Sequence, residues 1–226
     1  MDIGEITGAT ISTVAELLDL QDTLYDLRAS NRPMSWAFRG QPRDFGTLIP
    51  SFQRQFLRQS FGAAELIERR LIAAFREHYA KLGDRNADMP SLDSIAEGFD
   101  LRCLSVMQHY EIPTRLLDWT SNMWTAVYFA CASDPGLTAE LWYYDRSLFD
   151  KQSAQDPSLQ GLLYTTDVPR REPRILDRRG DNLIVEMDPR ITPRMRQQLA
   201  HHTVSTNAFA DHAPLLFELY QAVPPD

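Results

Sequence analysis

The chain predicts an α+β fold, a single domain whose helical N-terminal half packs on a mixed or antiparallel sheet. Three observations predict it. Apolar residues recur at helical spacing over 13–30 and again over 63–82. Short aromatic or β-branched runs gather after residue 139, and nowhere do strand and helix patterns alternate as regular βαβ winding needs. With 226 residues, 43% of them hydrophobic, the chain is long enough to bury a core for one large domain.

The elements follow in order. Thr13 and Glu16 have capping-box spacing, and Val14, Leu17, Leu18, Leu20, Leu24 and Leu27 carry an amphipathic helix to about Ser30, before Pro33. Ser35 to Arg39, SWAFR, reads as a short aromatic strand stopped by Gly40 and Pro42. Leu66, Ile67, Leu71, Phe75 and Tyr79 give Ala63 to Leu82 an apolar stripe, with Gly83 at the C-cap. A second helical region covers about Leu92 to Tyr110, weakened by Gly98. Pro113 then forces an extended entry into Thr114 to Trp119, and helix returns over Asn122 to Ala132. Strands are expected at Ala139 to Tyr144, Asn182 to Met187, Thr203 to Thr206 and Leu215 to Tyr220, with a short helix at Pro193 to Ala200.

The net charge of −8 argues against a sequence-independent grip on phosphate backbones, which depends on clustered Lys and Arg. The two cysteines, Cys103 and Cys131, lie in no metal-binding spacing. The acidic N-terminus lacks the basic-then-apolar order of a signal peptide, and no apolar run reaches about 18 residues. These features predict a cytoplasmic protein without a membrane partner. HExxH, GxSxG, GxGxxG and a phosphate-cradling glycine loop are all missing, which lowers the metalloprotease, serine hydrolase, dehydrogenase and P-loop classes.

Polar residues in the stretch QHYEIPTRLLDWTSNMWTAVYFAC, from Gln108 to Cys131, stand where the pattern calls for a core. A buried Arg, Asp or His needs partners or a ligand to offset its desolvation. Arg39, at the end of a strand and beside Gly40, suits a phosphate or carboxylate; a structural pair with Asp44 or Asp118 is the alternative. Strand alternation puts Arg115, Leu117 and Trp119 on one face and Thr114, Leu116, Asp118 and Thr120 on the other. A cation beside an aromatic suits a ligand with a flat ring and an anionic group, and an internal Arg115–Trp119 stack accounts for it equally. His201 and His202 project to opposite sides of a strand, so no shared metal ion is expected.

Three segments resemble the FRG domain, a bacterial and phage-associated family named for a Phe-Arg-Gly motif. They are WAFRGQP at Trp36 to Pro42, QHYEIPTRLLDWT at Gln108 to Thr120 with its AVYFA helix, and RMRQQLAHHTVST with its Arg-x-x-x-Gln. Ala200 and His202 depart from the Gly and aromatic that commonly follow that Gln. The resemblance divides the chain into an N-terminal helix, 1–30, and an FRG domain, 31–226. Its strand–helix order is similar to that of ADP-ribosyltransferases, which implies an ADP-ribosyltransferase-like sheet. It also implies an NAD-consuming toxin or anti-phage effector that modifies a protein or nucleic acid, either an ADP-ribosyltransferase or an NAD glycohydrolase. The alternative is a non-catalytic nucleotide- or partner-sensing module of a defence system.

Under the first reading NAD is the cosubstrate and no metal is needed. The implied partners are NAD or a related nucleotide, a macromolecular target, and an antitoxin or defence protein. Arg39, Asp118 and Gln198 map to the catalytic positions, with Glu218 as an alternative late acid. Arg39, Gln108, His109, Tyr110, Thr114, Arg115, Trp119 and Thr120 map to the nucleotide-binding ones. The late Glu-x-Glu of that layout is missing.

Overall fold

The computed structural model describes residues 10–29, 36–56, 58, 60–82, 100–132, 136–155, 182–187 and 200–222. Among them are seven helices and one five-stranded antiparallel sheet. The helices are α1 (Val14–Ala29), α2 (Ser51–Phe56), α3 (Phe61–Leu82), α4 (Asp100–His109), α5 (Met123–Cys131), α6 (Ser147–Gln155) and α7 (His212–Ala222). The strands are β1 (Trp36–Gln41), β2 (Leu116–Thr120), β3 (Glu140–Asp145), β4 (Ile184–Met187) and β5 (Ala200–Ser205), in the spatial order β3-β1-β2-β5-β4. No helix of the described residues is long and apolar enough to cross a membrane.

The capping box forms as its spacing predicts. The Glu16 carboxylate accepts from the Thr13 amide at 3.0 Å, and the Thr13 hydroxyl accepts from the Glu16 amide at 3.2 Å. Leu17, Leu20 and Leu24 turn to the sheet and pack with Phe38, Met123 and Ala126. α1 is thus part of the same packed body as β1 and α5. On the same face of the sheet, α3 and α4 close over the row Leu116, Val204 and Val185. The opposite face carries Ala37, Leu117, Trp119 and Tyr144 beneath α6 and α7.

Two expectations fail. Gly40 lies inside β1 rather than ending it, because its role is close approach: a Cβ there would meet the Ala126 carbonyl oxygen at 1.9 Å and the Ala130 nitrogen at 2.6 Å. Leu215 to Tyr220 is helix, not strand. Its apolar run sits after Asp211, whose carboxylate caps the Ala213 amide at 2.9 Å, and Pro214 occupies the first turn. Leu215, Leu216 and Leu219 then bury one stripe while Glu218 faces water. β5 begins at Ala200, earlier than expected, and the rest of the helix expected over 193–200 lies outside the described residues, as do Gly83, Leu92 and Gly98.

Candidate functional site

The sheet is weakest between β1 and β2. β1 pairs with β3 along its whole length and β2 likewise with β5, but β1 and β2 meet in register only at Phe38 and Thr120. Beyond that pair the strands part, and a cleft of about 260 Å³ opens between them. Arg39, Leu116, Leu117 and Asp118 line it from the strands, Ser51 and Arg54 from α2, and Gln108, Glu111 and Ile112 from the end of α4. Side chains from both faces of the sheet can reach this space because the ladder is open there.

Arg39 reaches across the gap and donates from Nη1 to the Asp118 carbonyl at 2.8 Å, and its Nε is buried with no protein partner. Burial pushes its pKa down; the Asp118 charge opposes this and Arg54 adds to it. Arg39 remains a cation at neutral pH. Arg54 is exposed and steadied by a hydrogen bond from Nη1 to the Ile49 carbonyl.

Asp118 lies in a recess that protein surrounds on most sides, yet its side chain is 58% open to water. The recess pushes its pKa up, but His202, Arg39 and Gln108 outweigh that and hold it below the usual carboxylate value. The register explains the first partner: Asp118 stands directly opposite His202 on β5. Their Nδ1 and Oδ1 atoms are 2.9 Å apart, a close approach that lacks the alignment of a hydrogen bond, since neither ring nitrogen of this buried imidazole has an aligned partner.

Gln108 is set by the chain that follows it. Its Nε2 donates to Asp118 Oδ1 at 2.8 Å while its Oε1 accepts from the Thr114 hydroxyl. Thr114 is in turn tied to Ser51 and Phe52 through its backbone. α4 ends in a Schellman motif: the Glu111 amide donates to the Gln108 carbonyl and the Ile112 amide to the Met107 carbonyl. The left-handed position, usually glycine, is Glu111 with φ 61°. This conformation costs about 1 kcal/mol for a residue with a Cβ, and it sets a carboxylate at the mouth of the cleft.

The structure thus brings together Arg39, Gln108 and Asp118, with Thr114 behind them. It takes Arg115 and Trp119 elsewhere, because each is already satisfied. Arg115 is buried and pairs bidentately with buried Glu68 on α3, and its Nη1 donates to the carbonyls of Ser205 and Thr206. Trp119 is core: it packs edge-on against Tyr144 at 4.7 Å and donates from Nε1 to Thr203. They neither stack on each other nor offer a face to a ligand.

Thr120 is buried and caps the Asn122 amide, and His109 and Tyr110 lie at the end of α4 without lining the cleft. Glu218 is on α7, which contributes nothing to the cleft lining, and Gln198 lies outside the described residues. Among the described residues no three His, Cys, Asp or Glu side chains are gathered to hold a metal ion. Sequence reasoning missed Arg54, Ser51, Glu111 and the pairing of His202 with Asp118. For Arg54 and Glu111 the sequence carries no signal, as each looks like an ordinary surface charge.

No curated protein and no solved structure matches the chain. Residues 34–136 match the family model of the FRG domain, a span holding β1, α2 to α5 and β2, and with them every cleft-lining residue. His202 and the strand that carries it lie beyond the matched span. The chain therefore carries an FRG domain, and the cleft between β1 and β2 belongs to it.

Proposed function

We propose that the cleft binds the pyrophosphate and adjoining ribose of NAD and promotes cleavage of the nicotinamide–ribose bond, as an ADP-ribosyltransferase or NAD glycohydrolase does. One observation carries this reading: two guanidiniums, Arg39 and Arg54, share an open cleft with a carboxylate that its neighbours keep ionised. Arg39 and Arg54 suit an anion with several oxygens. As the C1′–N bond breaks, its electron pair leaves with nicotinamide and positive charge develops on the ribose. A fixed carboxylate, Asp118, stabilises that charge without covalent chemistry. A nucleophile on a protein, a nucleic acid or water then captures the ribose carbon and loses its proton to solvent. Gln108 orients the carboxylate. A toxin or anti-phage role is the biological setting that the resemblance suggests for such an activity.

A second reading has its own support. A volume of about 260 Å³ is smaller than the about 300–1,000 Å³ common for ligand pockets, which suits a module that senses part of a nucleotide without turning it over. Nicotinamide release from NAD by the purified chain, with and without a cell lysate as acceptor, separates the two. Under the enzymatic reading release occurs, falls about 100-fold in Asp118→Asn and is lost in Arg39→Ala while both variants stay folded. Saturable binding of NAD with no release by the wild type favours the sensing module. Neither binding nor release ends both readings.

A further inference from the structure

We infer that the outer face of α1, together with the exposed flank of α5, is a docking surface for a basic amphipathic helix of a partner protein. α1 carries two apolar stripes. Leu17, Leu20 and Leu24 face the sheet, and a second set, Val14, Leu18 and Tyr25, is 66%, 46% and 64% exposed. These three and Gln21 follow one another at intervals of four, three and four, so at about 100° per residue they fall within about 60° of arc. This is the spacing of a helix seam, turned to solvent.

The seam continues onto α5. The Gln21 side chain accepts from Trp124 Nε1 at 3.0 Å, and Tyr128, one helical turn on from Trp124, is 68% exposed. Val14, Leu18, Tyr25, Trp124 and Tyr128 each keep at least 39% of their surface open to water. Isolated exposed apolar residues are ordinary; a spaced row continued by two aromatic residues on a neighbouring helix marks an interaction site.

Charge selects the occupant. α1 carries four acids, Glu16, Asp19, Asp22 and Asp26, all exposed, and no base before Arg28. The three aspartates span about 60° of arc, centred about 100° round the helix from the exposed stripe and on the side away from Leu17, Leu20 and Leu24. α5 carries no charged residue at all. The face is therefore an apolar seam with a carboxylate rim on one side. A second copy would set like charges against each other, and an anionic membrane or a nucleic acid would be repelled. A helix with an apolar stripe and Lys or Arg along one flank satisfies both features.

The test uses the full chain and two synthetic amphipathic peptides with the same Leu stripe, one flanked by Lys and the other by Glu. Titrations followed by peptide fluorescence anisotropy are expected to show saturable binding of the Lys peptide at least about ten-fold tighter than that of the Glu peptide, weakening as salt rises. Leu18→Lys and Tyr128→Lys, both at exposed positions, are each expected to weaken it about ten-fold or more with unchanged far-UV circular dichroism, melting and nicotinamide release. The inference is overturned by equal affinity for the two peptides, by binding that survives both substitutions, or by no saturable binding. A dimer in sedimentation that Leu18→Lys dissolves overturns it too, since the occupant is then a second copy.

Discussion

Asp118 and Arg115 are three residues apart in sequence, and their surroundings give them opposite roles. The Asp118 carboxylate is open to water and its backbone is held by the ladder to β5, so Asp118→Asn keeps the fold and reports on chemistry alone. Arg115 is locked between Glu68 and two backbone carbonyls in the interior. Removing one member of a buried ion pair strands the other, so Arg115→Ala is expected to cost about 3–5 kcal/mol in urea unfolding, with the Kd for NAD of the remaining folded fraction unaltered. Glu111 predicts the reverse trade. Glu111→Gly relieves the left-handed conformation and is expected to raise stability by about 1 kcal/mol in the same unfolding experiment, while removing a carboxylate from the mouth of the cleft.

At the level of elements, the positioning device is the contact of β1 with α5. Gly40 allows the helix to lie against the strand, and the Asn122 cap, accepting from the amides of Trp124 and Thr125, starts that helix at the end of β2. The Phe-Arg-Gly run therefore has a division of labour: Phe38 packs beneath α1 and α5, Arg39 spans the gap to β2, and Gly40 admits the helix. A methyl group on Gly40 must push α5 away through backbone atoms, which have no rotamer to yield. Gly40→Ala is expected to cost on the order of 3 kcal/mol and to lower nicotinamide release as Arg39 shifts, whereas Asn122→Ala costs about 1 kcal/mol, both read from thermal melts. The failed expectation for residues 215–220 belongs to this scale as well. A six-residue run that is apolar but for Glu218 suits either strand or helix, and only the Asp211 cap and the stripe Leu215, Leu216 and Leu219 decide it.

For the whole molecule, stability is tied to acid by two imidazoles on the face under α6 and α7. Burial, chiefly, pushes His212 down to about 3, with Arg39 and Arg115 adding to it; burial also takes His201 to about 3, with Arg146 and His202 adding to it. Folded, both stay neutral until about pH 3; unfolded, each takes a proton near pH 6.5. Between those values the unfolded chain binds more protons. Stability therefore falls as pH drops from about 6.5 towards 3, by up to about 1.4 kcal/mol per pH unit for each imidazole. Asp118, held low, deepens the loss only once the pH passes below the ordinary carboxylate value. Glu186, raised by burial against its pairing with Arg146, works the other way. Denaturant unfolding at pH 7 and pH 5 checks this: His212→Gln is expected to be less stable than the wild type at pH 7, and to lose about 2 kcal/mol less than the wild type between the two pH values, because the unfolded imidazole takes up its proton only partway through that interval.

Local patterns in the sequence determined what depends on neighbours along the chain. The capping box of α1, the Pro113 entry to β2 and the opposite facing of His201 and His202 were all legible, as was the α+β class; the stripe of α3 was legible in part, since Leu66 turns to solvent and Glu68, expected to face water, is buried against Arg115. Gln108 and Asp118 stood out because charged or amide groups interrupt an apolar pattern at a cost that requires partners, and Arg39 because it stands at a strand end beside Gly40. Which partners they have was a tertiary matter. Arg115 and Trp119 share a face on paper, yet Glu68 lies 47 residues before Arg115 and Thr203 lies 84 residues after Trp119. No local rule pairs them. The cleft itself arises where β1 and β2, far apart in sequence, make a single register pair and then separate. Strand parting, and the meeting there of Arg54, Glu111 and Asp118, follow from how several distant elements pack at once.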